Sequence, residues 1–108
     1  SFTSLFTNPV VQYEVHPEEY RMVLGRTVNC FNSYILTDEI NKAPENSGKI
    51  TIDIRPEAGL VDHTACENLM YEVEESKNGK RPVEVVGLEK FTKFSTHHET
   101  CTHVAIPM

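Results

Sequence analysis

Hydrophobic and polar residues alternate in two segments near the start of the chain. Residues 10–15 and 20–28 place apolar side chains at every second position, the pattern of a half-buried strand. Pro17 and the acidic residues after it favour a turn between these segments. The pattern therefore predicts an antiparallel hairpin, preceded by a flexible lead-in at residues 1–9.

The spacing of apolar residues then changes to that of a helix. Leu36, Ile40 and Ala43 follow one another at helical intervals and predict one buried helix face within residues 31–43. Asn32 or Ser33 could cap the start of this helix. Beyond a cluster of breaker residues, an Ile- and Thr-rich segment at 49–54 predicts a strand.

A second helix is predicted after a loop at residues 55–59. Gly79 supplies the left-handed conformation that ends such a helix. Residues 82–88 then predict a short buried strand and 89–94 one or two helical turns, whereas the remaining tail has no clear period. The apolar stripe of the second predicted helix consists of Cys66, Leu69, Met70 and Val73.

Alternating strands and helices favour parallel strands joined by right-handed crossovers. The sequence therefore predicts a single α/β domain at residues 10–108, with a mixed, mostly parallel sheet and an antiparallel edge. Its 108 residues suffice for one core, and the net charge of −6 argues against binding to nucleic acid. No apolar segment reaches the roughly 20 residues that cross a bilayer.

The cysteines and histidines give weak signals of chemistry. The three cysteines are widely spaced, which predicts free thiols rather than a disulfide framework. The segment HHETCTH (97–103) holds possible metal ligands, but zinc sites usually supply two separated pairs, so a solvated tail is the simpler interpretation. Glycine-rich phosphate-binding loops are missing, and no cofactor or metal is predicted.

The segment GLVDHTACENLM (59–70) has the strongest candidate chemistry. Asp62, His63 and Thr64 stand together at a predicted helix start, where free backbone amides attract anions. Helix capping explains the same residues more simply. Asp62 can accept amide hydrogen bonds, and Thr64 with Glu67 matches a capping box. Adjacency in sequence does not supply the geometry of a catalytic triad, so no enzyme is predicted.

Three separated segments together resemble the STAS domains of sulfate transporters and anti-sigma-factor antagonists. They are EYRMVLGRTVNCFNSYILTDEI (19–40), KITIDIRPEAGLVDHTACENLM (49–70) and KRPVEVVGLEKFTKFSTHH (80–98). The resemblance covers about residues 10 to 100, and the VDHTA and VVGLEKFTKFSTHH segments are closer to the SulP transporter branch. It implies a mixed sheet packed with helices, in agreement with the pattern above.

The resemblance implies a regulatory, non-catalytic domain on the cytoplasmic side of the cell membrane, attached to an inorganic anion transporter. Its expected partners are the transporter's membrane domain or a cytosolic regulatory protein, with a small anion or nucleotide as a further ligand and a homodimer as a further assembly. The expected contact surface consists of Asn32, Ser33, Asp62, His63 and Thr64.

One departure from the family pattern concerns the switch position. His63 occupies the place of the phosphorylated Ser of the antagonists, and Thr64 is the neighbouring hydroxyl. Phosphorylation at Thr64 is therefore a weaker expectation. A free-standing antagonist-type phosphoswitch protein is the alternative function.

Overall fold

The computed structural model of the chain describes residues 6–79, 81–93 and 105–107. Strands β1 to β6 are Val10–His16, Glu19–Leu24, Lys49–Ile54, Val83–Val86, Phe91–Lys93 and Ala105–Pro107. Helices α1 and α2 are Ser33–Asn41 and His63–Ser76, and short 3₁₀ turns occupy Pro56–Ala58 and Leu88–Lys90.

The main sheet has four strands in the order β1-β2-β3-β4. β1 and β2 are antiparallel, whereas β3 runs parallel to both β2 and β4. β5 and β6 form a separate antiparallel pair. The predicted α/β domain with a mixed sheet and an antiparallel edge is confirmed.

The opening hairpin differs from the prediction at its second strand. β1 agrees with the predicted segment and carries an irregularity between Val10 and Gln12. β2 ends at Leu24, before the predicted end at residue 28. Beyond Leu24 the chain leaves the ladder with β1, and Val28 instead forms an isolated parallel bridge to Val61. Alternation alone could not distinguish this bridge from a continued strand.

Both helices pack on one face of the sheet. The two crossovers, through α1 and through α2, step in the same direction across the sheet, and right-handed connections then place both helices on the same side. The predicted apolar faces are buried at Leu36, Ile40, Cys66 and Leu69, and Met70 and Val73 pack against them. This burial removes the apolar stripe of each helix from water and holds the layers together.

The core between helices and sheet comes mainly from β2 and β3. Ile50, Ile52 and Ile54 are each no more than 1% exposed and face the helices together with Met22 and Leu24. Because strand side chains alternate, the residues between these positions point to the other face.

The second face of the sheet is polar. The guanidinium of Arg21 lies 2.9 Å from the carboxylate of Asp53, which also lies 3.1 Å from Arg55 Nε. The hydroxyl of Thr51 donates to Glu19 at 2.6 Å. Cross-strand pairs of this kind reinforce the parallel register of β2 and β3.

The region after β4 corrects another prediction. The sequence predicts helical turns at residues 89–94, of which residue 94 lies outside the described part of the chain. Within the described residues of this region only the 3₁₀ turn Leu88–Lys90 is helical, and β5 begins at Phe91. Gly87 sets the chain direction here with φ of 95°. A Cβ at this position would lie 2.0 Å from the carbonyl oxygen of Ile54, so only glycine fits.

Residues 6–9 of the predicted lead-in contact the body of the domain. The amide of Gly25 donates to the carbonyl of Pro9, and Arg26 donates to the carbonyl of Asn8. The rings of Phe6 and Phe31 are 5.4 Å apart. Residues 1–5 lie outside the described part of the chain. Among the described residues, no helix is both long and apolar enough to span a membrane.

The cysteines behave differently from one another. Cys30 is an exposed free thiol, as predicted. Cys66 is buried in the core and disulfide-bonded, so the prediction of a free thiol is wrong there. Spacing along the chain could not reveal this bond, because a disulfide depends on how two cysteines approach in space.

Candidate functional site

Two loops meet at one edge of the sheet, beyond the carboxyl ends of β2 and β3. The amide of Val28 donates to the carbonyl of Leu60 at 2.9 Å, and the amide of Asp62 donates to the carbonyl of Val28 at 3.0 Å. These bonds extend the parallel pairing past the strands themselves. Both helix starts are therefore brought to the edge where open α/β sheets usually bind ligands.

Asp62 joins these loops and caps α2. Its Oδ1 accepts a hydrogen bond from the amide of Ala65 at 2.8 Å, and its Oδ2 accepts one from the amide of Cys30 at 2.9 Å. The predicted cap at Asp62 is confirmed. Both carboxylate oxygens are thus engaged with the protein's own backbone, and their negative charge suits the positive end of the helix dipole.

The predicted capping box at Thr64 is wrong. Because α2 begins at His63, Thr64 lies inside the first turn, and Glu67 is one turn further along. Glu67 instead reaches His63, with 3.3 Å between Oε1 and Nε2. Two overlapping cap signals occur in the sequence, and the loop bonds made by Asp62 select the earlier one.

The start of α1 depends on a pair of asparagines. Asn32 is the residue before the helix, as predicted, but its side chain does not cap it. Its Oδ1 accepts from the amide of Asn29, and its Nδ2 donates to the carbonyls of Thr7 and Thr27. Asn29 Oδ1 in turn accepts from the amides of Phe31 and Asn32.

Ser33 also has a structural partner. It is buried, and its hydroxyl oxygen accepts a hydrogen bond of 2.7 Å from Asn68 Nδ2 on α2. One turn further on, the hydroxyl of Thr37 donates to Glu72 at 2.9 Å. These bonds join the two helices along their shared side. Of the predicted contact residues, Asn32 and Ser33 are therefore buried and fully engaged within the protein.

His63 and Thr64 are the predicted residues that face solvent. The side chain of His63 is 41% exposed, whereas its Nδ1 is buried and has no hydrogen-bond partner among the described residues. Thr64 is exposed, and its hydroxyl makes no hydrogen bond to another described residue. The pair can present an imidazole and a hydroxyl to a partner. The hydroxyl is not hydrogen-bonded to the imidazole, so the imidazole does not activate it as a nucleophile.

The charged and polar groups at this sheet edge determine how well the expected small anion could bind there. The amide of Ala65, one of those at the helix start that could bind an anion, is already bonded to Asp62, and the Asp62 carboxylate would repel a second negative charge. The exposed groups nearby are the thiol of Cys30 and the ring of Phe31, which is 46% exposed. This mixture of aromatic, thiol and imidazole suits contact with a protein surface better than capture of a small anion.

The sequence prediction missed two residues of this edge. Asn29 organises the loop before α1, and Cys30 supplies the amide that joins it to Asp62. The spacing of Asn29 and Asn32 in NCFN was an available signal, because asparagine side chains commonly bond to backbone amides two or three residues on. The link from Cys30 to Asp62 spans 32 residues and had no local signal.

Within the described ranges, no cluster of three or more His, Cys, Asp or Glu side chains could hold a metal ion. The histidine-rich segment at 97–103 lies outside the described residues. A scan of protein-family models, a search of curated proteins and a search of solved structures each found no match to the chain.

Proposed function

We propose that the chain is the regulatory STAS domain of a SulP-type inorganic anion transporter. The proposal rests on the three resembling segments in the order in which they occur. The fold supports it, because the antiparallel strand pair, the two parallel strands and the intervening helices follow the order that this resemblance implies. The domain would regulate transport through contacts on the cytoplasmic side of the membrane and would catalyse no reaction.

The observation that carries the proposal is the meeting of the first two segments at one sheet edge. The loop of the first segment and the helix start of the second are joined through Cys30 and Asp62. This is where the resemblance places the contact surface. His63 and Thr64 are its solvent-facing members, and they would meet the transporter's membrane domain or a cytosolic regulator.

The coding sequence upstream of Ser1 tests the transporter assignment. About ten apolar segments of roughly 20 residues each would support it, since each is long enough to cross the bilayer. An initiator Met within a few residues of Ser1 would contradict it.

Anion uptake by the parent protein tests the contact surface. We expect the double substitution His63→Ala with Thr64→Ala to change uptake at unchanged membrane abundance, because it removes the two exposed groups of the surface. Lys77→Ala, an exposed change at the other end of α2, is the matched control. Equal uptake by both variants and the unmodified protein would contradict a role for this edge.

A phosphoswitch protein of the antagonist type is the second candidate function. The exposed hydroxyl of Thr64 favours it, because a kinase requires an accessible acceptor. Incubating the chain with candidate kinases and measuring the intact mass tests this function. A phosphate mapped to Thr64 supports it, and an unchanged mass with every kinase argues against it.

The disulfide at Cys66 bears on the proposed location. Disulfides are rare in the reducing cytoplasm, so this bond weighs against a cytoplasmic domain. Alkylation of the denatured protein, with and without prior reduction, tests the location in protein taken from its native source. The cytoplasmic proposal expects Cys66 to be alkylated without reduction, and a requirement for reduction would contradict it.

A further inference from the structure

A cavity of about 350 Å³ lies at the opposite edge of the domain from the candidate site. It is bounded by the last turns of α1 and α2, the amino ends of β3 and β4, and the loops between them. Its floor is apolar, since Ile40, Ile50 and Val83 are each no more than 7% exposed. The cavity opens to solvent on one side, and its size falls near the lower end of ordinary ligand sites.

The polar part of the lining is mostly acidic. Glu45, Glu72 and Glu75 line the cavity, and Arg81 is the one cation among the described residues of the lining. Arg81 donates a hydrogen bond to the carbonyl of Pro44 and makes no ion pair with another described residue. The described part of the lining, with three carboxylates and one guanidinium, therefore carries a net negative charge.

The three carboxylates of the lining differ in their partners among the described residues. Glu72 accepts a hydrogen bond from the hydroxyl of Thr37. Glu45 and Glu75, in contrast, make no side-chain hydrogen bond or ion pair with any other residue of the described chain. Carboxylates beside an apolar floor are suited to a ligand with an apolar stem and a cationic end.

We propose that this cavity binds an arginine side chain presented by a partner polypeptide. The methylene stem would lie on Ile40 and Ile50, and the guanidinium would donate to Glu45 and Glu75. Arginine fits better than lysine because its guanidinium is more weakly hydrated than an ammonium and holds five donors in a rigid fork, so it loses less on leaving water. Because the cavity opens to solvent on one side, a side chain can enter it while the polypeptide that carries the side chain stays outside. The proposal is independent of the transporter assignment, so either can fail without the other.

Nuclear magnetic resonance titration of the ¹⁵N-labelled chain tests the proposal with the peptide acetyl-Gly-Arg-Gly-amide. We expect saturable shifts of the Ser76 and Gly79 amides, with a dissociation constant of about 1 mM, as befits one partly solvated side chain. The same peptide with citrulline keeps the shape of arginine but lacks its charge. It should not shift these amides, and equal shifts with both peptides would overturn the proposal.

Two variants locate the binding within the chain. Glu45→Gln with Glu75→Gln should weaken binding about tenfold, because two charge-assisted hydrogen bonds lose their charge. Glu57→Gln with Glu74→Gln removes the same charge from exposed positions outside the lining and should leave binding unchanged. Equal weakening by both pairs would show attraction to the overall charge and would overturn the proposal.

A steric variant and a small guanidine complete the test. Asn41→Trp places a large ring on an exposed residue of the cavity and should abolish the peptide-induced shifts. Binding that persists in this variant would place the ligand elsewhere. Propylguanidine has the stem, the guanidinium and the single charge of the arginine side chain without a polypeptide, and tighter binding of propylguanidine than of the peptide would overturn a polypeptide partner.

Discussion

At the scale of single residues, the side chain of Asp62 joins two elements at the candidate site. One of its oxygens caps α2 and the other holds the loop that leads into α1. A single carboxylate thus fixes two elements that are distant in sequence. Neighbouring Thr64, which has similar capping chemistry, holds neither of them.

Replacing Asp62 by alanine should lower the free energy of unfolding by about 2 kcal/mol, because a helix cap and a loop acceptor are lost together. Asp62→Asn keeps one oxygen acceptor and should lose less. Thr64→Ala should change stability by no more than about 0.5 kcal/mol, as for other exposed positions. Urea unfolding measures all three, and a larger loss for Thr64→Ala than for Asp62→Ala would contradict the assigned cap.

Gly87 and Gly79 offer a matched pair, since both have positive φ, of 95° and 94°. At Gly79 an added Cβ meets nothing within 4 Å, so Gly79→Ala should cost only the conformational strain of about 1–2 kcal/mol. At Gly87 the Cβ would collide with the Ile54 carbonyl, and Gly87→Ala should cost more than about 3 kcal/mol. Equal losses in thermal unfolding would contradict the close approach at Gly87.

At the scale of elements, the parallel pairing of β2 and β3 is supported by polar contacts on the face away from the helices. Glu19 lies at the start of β2 and accepts a hydrogen bond from Thr51 of β3. This bond is the main reason why the pKa of Glu19 is lowered from its ordinary value of 4.5, with smaller help from the charge of Arg21.

The lowered pKa of Glu19 predicts a pH dependence. Because the folded-state pKa is the lower one, the stabilisation is fully present above about pH 4.5 and is lost as the pH falls through the folded-state pKa. Thr51→Val removes the hydrogen bond, so the pKa of Glu19 should rise. A ¹³C titration of the side-chain carboxyl measures this change. Thr37→Val, whose hydroxyl contacts Glu72 instead, is the control, and an unchanged Glu19 pKa in Thr51→Val would contradict the mechanism.

At the scale of the whole molecule, one apolar cluster links the main sheet to both helices. It includes residues of β1, β2, β3 and β4 as well as α1 and α2. The described part of the domain therefore has a shared core, and loosening one element exposes the others. Such an arrangement favours a single cooperative unfolding transition.

A substitution that creates a cavity in the centre of this core tests whether unfolding is cooperative. Ile52 is fully buried, and Ile52→Ala should reduce the free energy of unfolding by about 2–5 kcal/mol. Circular dichroism and tyrosine fluorescence should give coincident unfolding curves for the variant and for the unmodified chain. Val15→Ala, at a position 71% exposed, should stay within about 0.5 kcal/mol. Separate transitions for the two probes would contradict a shared core.

The sequence by itself determined the elements and the faces they bury. The period of Leu36 and Ile40 specified the inner face of α1, and the alternation through Met22 and Leu24 specified that of β2. These are local signals, because the repeat of a helix or strand sets which side chains share a face. The α/β class followed from the order of such segments.

Only the tertiary structure decided which of the described polar side chains have hydrogen-bond partners within the protein. Asp62, not Thr64, caps α2 because a loop 32 residues away supplies a second donor to it. The side chain of Asn32 donates to the chain's own carbonyls, whereas Glu45 and Glu75 have no side-chain partner among the described residues and lie beside an apolar floor. The physical reason is that a hydrogen bond depends on distance and direction in space, which a local pattern of residues does not fix.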